Sequence, residues 1–309
     1  MDPASGEGAN PMNHRQIDVT LLLATGVIAV LLFGAAPLLF HVGWQGGIAF
    51  IVLAALTAPL HYGLMHETMH GNLFESEEAN RGVGRALGVT LGLPFETMRF
   101  GHLAHHGFNR HSYDRPEAMQ PGQTWMSAAG LYYFMLLGGN DLLYAVMSLP
   151  IFLPESGVRW VVSKMGDHED TLAMRNAALR TFTNPAKVRA IRFDVIAEVA
   201  LAALAIWLWG SLWWVFAGAV LARWIVLSIL DNAPHYAMPL DSGLNARNTS
   251  MPRLIRWLIL NQNFHGIHHH TPQTHWQELP ALFAETNKST DGNWGVALLR
   301  QFRGPQRLA

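Results

Sequence analysis

Three long apolar runs leave this chain few ways to fold. Residues 19–42 (VTLLLATGVIAVLLFGAAPLLFHV), 46–65 (GGIAFIVLAALTAPLHYGLM) and 195–230 (VIAEVALAALAIWLWGSLWWVFAGAVLARWIVLSIL) are almost free of charge. A helix that crosses a bilayer needs about 20 such residues. Lipid offers no partner to a bare peptide group, so each run is expected to be helical. The third run is about two spans long and breaks near Gly210-Ser211, which predicts a tight hairpin with helices at 195–210 and 212–230. Composition agrees. Half of the 309 residues are apolar and only 14% are charged, against roughly a quarter in soluble globular proteins. There are 11 Trp, and many cluster beside the apolar runs, as interfacial anchors do. A net charge of −1 gives no reason to expect nucleic acid as a partner. No cleavable signal peptide is expected. The first 17 residues are polar, and the apolar run after them is too long for a signal core and has no small-residue cleavage site.

The expected fold is therefore an all-α integral membrane protein. Four transmembrane helices form two hairpins (about 19–42, 46–65, 195–210 and 212–230) under a cytoplasmic, interfacial helical cap. A further apolar region, 125–154, is interrupted by Gly138, Gly139, Asn140 and Asp141. It is read as an interfacial or re-entrant pair of helices, and 83–98 as too short to span. Around this membrane domain of 18–283 lie a polar N-terminal segment, 1–17, and a C-terminal tail, 284–309. Residues 156–192 carry Arg159, Lys164, Arg175, Arg180, Lys187, Arg189 and Arg192, whereas the turns at 43–45 and 210–212 carry no charge. The positive-inside rule then makes the protein multi-pass, with both termini and the histidine-rich segments on the cytoplasmic side.

Those segments carry the chemistry. The chain has no Cys, which removes disulfides, thiolate-bound zinc, iron–sulfur clusters and thiol nucleophiles together. It has 16 His, mostly bunched, and neutral imidazole is a common metal ligand. HETMH places His66 and His70 four apart, on one face of a helix that continues a span. It also matches the zinc-protease pattern, with Glu67 in the place of the water-activating base. HLAHH holds His102, His105 and His106, and HGIHH holds His265, His268 and His269. The spacing i, i+3 puts the first two histidines of each box on one face and turns the third about 100° away, toward a second metal. A zinc hydrolase needs three protein ligands and one open position and has no use for so many histidines. A metal transporter or sensor would carry its ligands inside the spans, whereas these boxes lie outside them.

The order H-x-x-x-H, H-x-x-H-H, a gap filled by two spans, then H-x-x-H-H resembles the membrane fatty acid desaturase and hydroxylase superfamily, from about residue 45 to 282. HETMHGNLF, HHGFNRHSYDRPE and NQNFHGIHHHTPQTHWQELP carry the likeness, which is nearer the acyl desaturase branch. The resemblance implies two non-haem iron ions with dioxygen as co-substrate. It implies the ligands His66, His70, His102, His105, His106, His265, His268 and His269, with His235 of DNAPHY as a ninth. The implied reaction is the desaturation of a fatty acyl chain by removal of two adjacent hydrogens. The alternative in the same superfamily is a hydroxylase or ketolase of a carotenoid or another lipid. Electrons must come from a separate donor of ferredoxin, rubredoxin or cytochrome type. Partners are thus a lipid or fatty acyl substrate, that donor and membrane lipids. Beside the ligands, His61, Glu67, His111, Asp231, Asn232, Asn261, Asn263 and His270 are expected to orient imidazoles or line the site, whereas His275 is expected to hydrogen-bond or to face water. Arg99, Arg110 and Arg115 are candidates for a head group or the lipid surface. His14, His41 and His168 are read as surface residues.

Overall fold

The computed structural model describes residues 11–109, 111, 114–165, 169–240 and 246–308. Among these residues there is no β-strand, and four stretches are long and apolar enough to cross a membrane: His14–Leu39, Trp44–His70, Trp125–Phe152 and Pro185–Asn232. The last is a hairpin. Helix α9 (Pro185–Trp209) ends at Gly210, whose φ of 54° turns the chain through Gly210–Leu212 into α10 (Trp213–Asn232). The first pair is α1 (Pro11–Val30), which continues to Leu39 through a widened turn at Leu31–Ala35, and α2 (Trp44–His70). Val19, Leu23, Val27 and Val30 form an exposed stripe along α1, and Ile48, Val52 and Leu56 one along α2. Their spacing of three to four residues marks a single lipid-facing side of each helix.

The two hairpins close on each other at one end. Leu32, Ala36, Ala54, Ala205, Trp209, Val215, Phe216 and Ala219 share a core there, and the Trp209 indole donates to the Leu32 carbonyl at 2.8 Å. Gly47 permits this approach, because a Cβ on it would lie 2.5 Å from a Val215 methyl. At the other end α2 leaves the lipid. Its 27 residues span about 40 Å, longer than the roughly 30 Å of hydrocarbon. From Leu60 on, every residue but Tyr62 is buried. The helix stops where Gly71 takes φ 79° and its N–H caps the carbonyls of Glu67 and Thr68, so box one sits in the last two turns.

The interrupted apolar region forms a wedge. Helix α5 (Trp125–Phe134) bends at Leu137 and at Gly138, whose φ is 98°, into α6 (Asn140–Met147). Gly138 lies against Trp224 and Ile225 of α10. The two limbs run back toward the histidine end: Ser148 donates to Thr97 at 2.8 Å, and the Asn232 amide reaches the Tyr132 hydroxyl at 3.4 Å. Over the same end lie α3 (Glu77–Leu91), capped by the Ser76 hydroxyl, and α4 (Phe95–Phe108), which carries box two, while α7 (Glu155–Ser163) and α8 (Glu169–Phe182) lead from the wedge to α9. The short α11 (Arg253–Leu258) and α12 (His265–His270) precede the C-terminal residues. These fold back: Gln301 and Gly304 accept from the hydroxyls of Tyr132 and Tyr236 at 2.6 and 2.8 Å.

Helices outrun the apolar stretches that announced them. Helix α9 begins ten residues before the apolar run at 195. Asp194 in that extension is buried and takes a hydrogen bond from Arg85 Nε at 2.8 Å, so it packs on protein and not on lipid.

Candidate metal centre

All nine box and DNAPHY histidines meet at this end of the bundle. Their ring nitrogens form two groups, and within each group the candidate ligand atoms lie within 4.8 Å of one another. His66, His70, His102, His106 and His268 make the first, and His105, His235, His265 and His269 the second. In the first, Nε2 of His102 is 2.7 Å from Nε2 of His70 and 3.0 Å from that of His106, while His268 Nε2 is 3.1 Å from His106 Nε2. In the second, His105 Nε2 faces His235 Nε2 at 3.0 Å, and His269 Nε2 faces His265 Nε2 at 3.1 Å. The stacked rings of His106 and His269, 4.2 Å apart, join the groups.

The pairing within the boxes differs from the i, i+3 expectation. His66/His70, His102/His106 and His265/His269 each share a group. At 100° per residue an i, i+4 pair is 40° apart and an i, i+3 pair 60° apart, so the closer pair converges. The middle histidine of each H-x-x-H-H box crosses over: His105 joins the second group and His268 the first.

Lone pairs brought together without a bridging atom repel, and most of these nitrogens face only one another. His66 Nε2 is buried without a hydrogen-bond partner, the state of a ring nitrogen aimed at a cation. Protons do not fill the gap. Burial, then the neighbouring imidazoles, holds His102, His268 and His269 well below the ordinary histidine range, and brings His106 down to about 2 and His265 to about 3. Neutral rings with converging lone pairs suit one metal ion per group. The model of the fatty acid desaturase family matches residues 42–295.

The chain belongs to the fatty acid desaturase family.

Family membership implies an oxidoreductase with a lipid context, and with the four membrane-capable stretches it supports a multi-pass membrane protein. No curated protein matches the sequence.

Around the desaturase-type histidines, polar side chains fix the rings. Asp114 Oδ2 accepts from His105 Nδ1 at 2.7 Å. Burial works to lower the His105 pKa, but the charge and hydrogen bond of Asp114 outweigh it and leave it raised. The Gln262 amide lies between two rings, 3.3 Å from His66 Nδ1 and 3.1 Å from His265 Nδ1. The Asn109 amide is 3.0 Å from His269 Nδ1; with its oxygen turned to the ring it accepts the Nδ1–H and leaves Nε2 for a metal. Arg115 is buried, pairs with Glu117 and donates to the His235 carbonyl at 2.5 Å, which anchors the segment that carries His235.

The other expected residues scatter. Glu67 is fully buried but belongs to neither group. Its Oε2 accepts the Trp276 N–H at 3.1 Å, beside a cluster in which Asp18 takes bonds from the Trp276 indole at 3.0 Å and from His275 at 2.9 Å. His61 lies deeper, donating to Leu87 O at 3.0 Å and accepting from Arg223 at 2.7 Å. Asp231 and Asn232 line a cavity next to His105 and His235. Asn261 and Asn263 serve the box-three loop, bonding Trp276 O at 3.0 Å and Thr249 O at 2.6 Å. His111 lies partly buried beyond box two, its ring 6.0 Å from Phe108. His270 is exposed, as is His41, and His14 stacks on His275 at 5.5 Å. Arg99 donates to Met69 O at 2.9 Å and so braces box one. Arg110 and His168 lie outside the described residues.

Asp114, Glu117, Asn109, Gln262 and Asp18 were not legible as site residues beforehand. Asp114 and Glu117 stand in the YDRPE context beside box two, which was a usable signal; Asp18, more than 250 residues from its partner His275, left none.

Proposed function

We propose that this chain is a dioxygen-dependent membrane oxidase that desaturates an aliphatic acyl chain, using two iron ions held by the nine histidines. The observation that carries the reading is the division of nine imidazoles, six buried and three partly buried, into a group of five and a group of four, side by side at one end of a membrane bundle. Bound iron supplies the reductive activation of dioxygen that breaking a saturated C–H bond demands. The balance is one chain CH2–CH2 unit, one O2, two protons and two electrons, giving CH=CH and two waters. The chain's own residues hold the rings neutral and oriented, close the centre under α3, α4 and α12, and bring substrate against His102, His105 and His235 from the adjoining cavity. No Cys is present to bind an iron–sulfur relay, so a separate donor docks on the capped face.

The same arrangement supports a cytoplasmic cap. Box two and His235 sit in one cluster, and α9 and α10 cross and return between them, so the 125–152 wedge enters and leaves on one face. The cationic stretch 156–192 marks that face as cytoplasmic.

The test is expression in a host of simple lipid content with a reduced donor, followed by lipid mass spectrometry. Products that have lost two hydrogens, formed only with oxygen, are expected. Gain of one oxygen would instead show a hydroxylase, and gain of an oxygen with loss of two hydrogens a ketolase. Peptide cleavage that survives without oxygen would overturn the oxidase reading.

A further inference from the structure

Two cavities flank the histidines, and their walls differ in chemistry. One, of about 50 Å³, touches His66 and His265 and is otherwise walled mainly by apolar groups such as Pro59, Leu230, Ile259 and Ala297. The other, of about 100 Å³, touches His102, His105 and His235, and hydroxyl, amide and carboxylate groups make up about half of its wall, with apolar side chains such as Met98, Met135 and Leu136 making up the rest. Tyr62, Leu227 and Asp231 line both, so the cavities share a partition.

The polar groups of the larger cavity are not used up within the protein. Asp141 is 3% exposed, and only its Oδ2 is engaged, accepting from Ser228 at 3.0 Å. Its Oδ1 has no partner among the described residues. The Asp231 carboxylate, the Asn140 amide and the hydroxyls of Tyr62 and Tyr144 line the same space and likewise make no hydrogen bond among the described residues. No Lys or Arg lines it. A bare polymethylene chain drawn into this cavity would strip water from all of these groups and return nothing, which is costly for each one. A carboxyl group keeps an acceptor oxygen whether or not it carries a proton, and in a segment apolar enough to cross a membrane such a group is expensive unless it serves function.

We propose that the portion of the substrate beside the iron ligands carries a hydrogen-bond donor, an amino or hydroxyl group within a few bonds of the oxidised carbon, received by Asp141 and Asp231, while its alkyl remainder lies against apolar walls. The inference rests on the oxidase reading for the identity of the neighbouring centre, and it narrows the substrate from any acyl chain to a functionalised one.

The test measures binding as well as turnover. Iron-loaded protein in detergent is offered three alkyl chains of equal length, ending in a vicinal amino alcohol, a vicinal diol or an isopropyl group. Binding is read as a ligand-dependent rise in melting temperature, and products by mass. The amino alcohol and the diol are expected to bind, with the ranking of the two showing whether the donor is charged. The isopropyl chain is expected to bind about ten- to hundredfold more weakly. Asp231→Asn, and independently Asp141→Asn, should weaken the amino alcohol by a similar factor while iron content and helix content stay unchanged. Equal binding of all three chains, or an Asp231→Asn protein that slows every substrate alike with no change in binding, would overturn the proposal; the second result would assign the cavity to water and protons only. Selective binding of the donor-bearing chains with no oxidation of any would leave this inference standing and sink the oxidase reading instead.

Discussion

Replacing Asp114 by Asn should unbalance the two metal positions. Asp114 Oδ2 lies 2.7 Å from His105 Nδ1, and both side chains are about four-fifths buried, at 21% and 17% exposed. The carboxylate accepts the Nδ1–H hydrogen bond and so leaves the Nε2 lone pair facing His235, 3.0 Å away. Only the four-histidine group contains His105, and no histidine of the other group bonds Asp114. An amide can still accept the proton, but the charge that raises ligand basicity is gone. Loss of such an outer partner costs about 10- to 100-fold in metal affinity, or about 1.4–2.8 kcal/mol at 1.4 kcal/mol per tenfold. The assay is chelator competition at equilibrium, with iron per chain measured at each chelator concentration. The parent protein should hold both irons to high chelator. The variant should release one iron at a chelator concentration about 10- to 100-fold lower, with the second unmoved. Both irons shifting together, or neither shifting, would refute the assignment of His105 to a separate position.

Three further outcomes are expected. Gly266→Ala places a Cβ 2.6 Å from both the Ala246 carbonyl and the Asn248 amide. Overpacking of this kind costs about 1–3 kcal/mol and displaces the helix that carries three of the proposed ligands, so iron content and melting temperature should fall together. Arg223→Leu leaves His61 Nδ1 and the Thr90 carbonyl without their donor, a loss of about 1–3 kcal/mol per orphaned group. The double change with His61→Leu should recover part of it, and strict additivity in detergent melts would count against the contact. Metal-free protein should lose stability as pH falls below 6.5. There the unfolded chain takes up protons that the folded His102, His106, His265, His268 and His269 refuse, their folded pKa values being depressed. The slope reaches about 1.4 kcal/mol per pH unit for each such ring, so a flat melting temperature between about pH 6.5 and 4.5 would contradict their burial as neutral groups.

What the sequence disclosed follows from the range of the forces involved. Uninterrupted apolar runs located the spanning helices, because lipid dictates residue type one position at a time. The break at Gly138 announced the bend of the wedge, since few other residues adopt a φ of 98° there. Histidine spacing located the boxes, but not their partition. That depends on how α2, α4 and α12 cross, and it reversed the expected pairing within the boxes. The partners that orient the rings were the least visible. Gln262 and Asn109 are ordinary amides whose role comes from packing, and Asp18 meets His275 across most of the chain. One helix end was also hidden: α9 begins before its apolar stretch because protein, not lipid, covers the polar residues there, as Arg85 covers Asp194.

Iron stoichiometry and iron-edge X-ray absorption on anaerobically loaded protein test the central claim most directly. Two irons per chain are expected, each in a shell dominated by imidazole nitrogen. His268→Ala should thin the shell of one iron, and His265→Ala that of the other. A single metal with three nitrogen ligands and an open position, or iron whose surroundings ignore both substitutions, would contradict it.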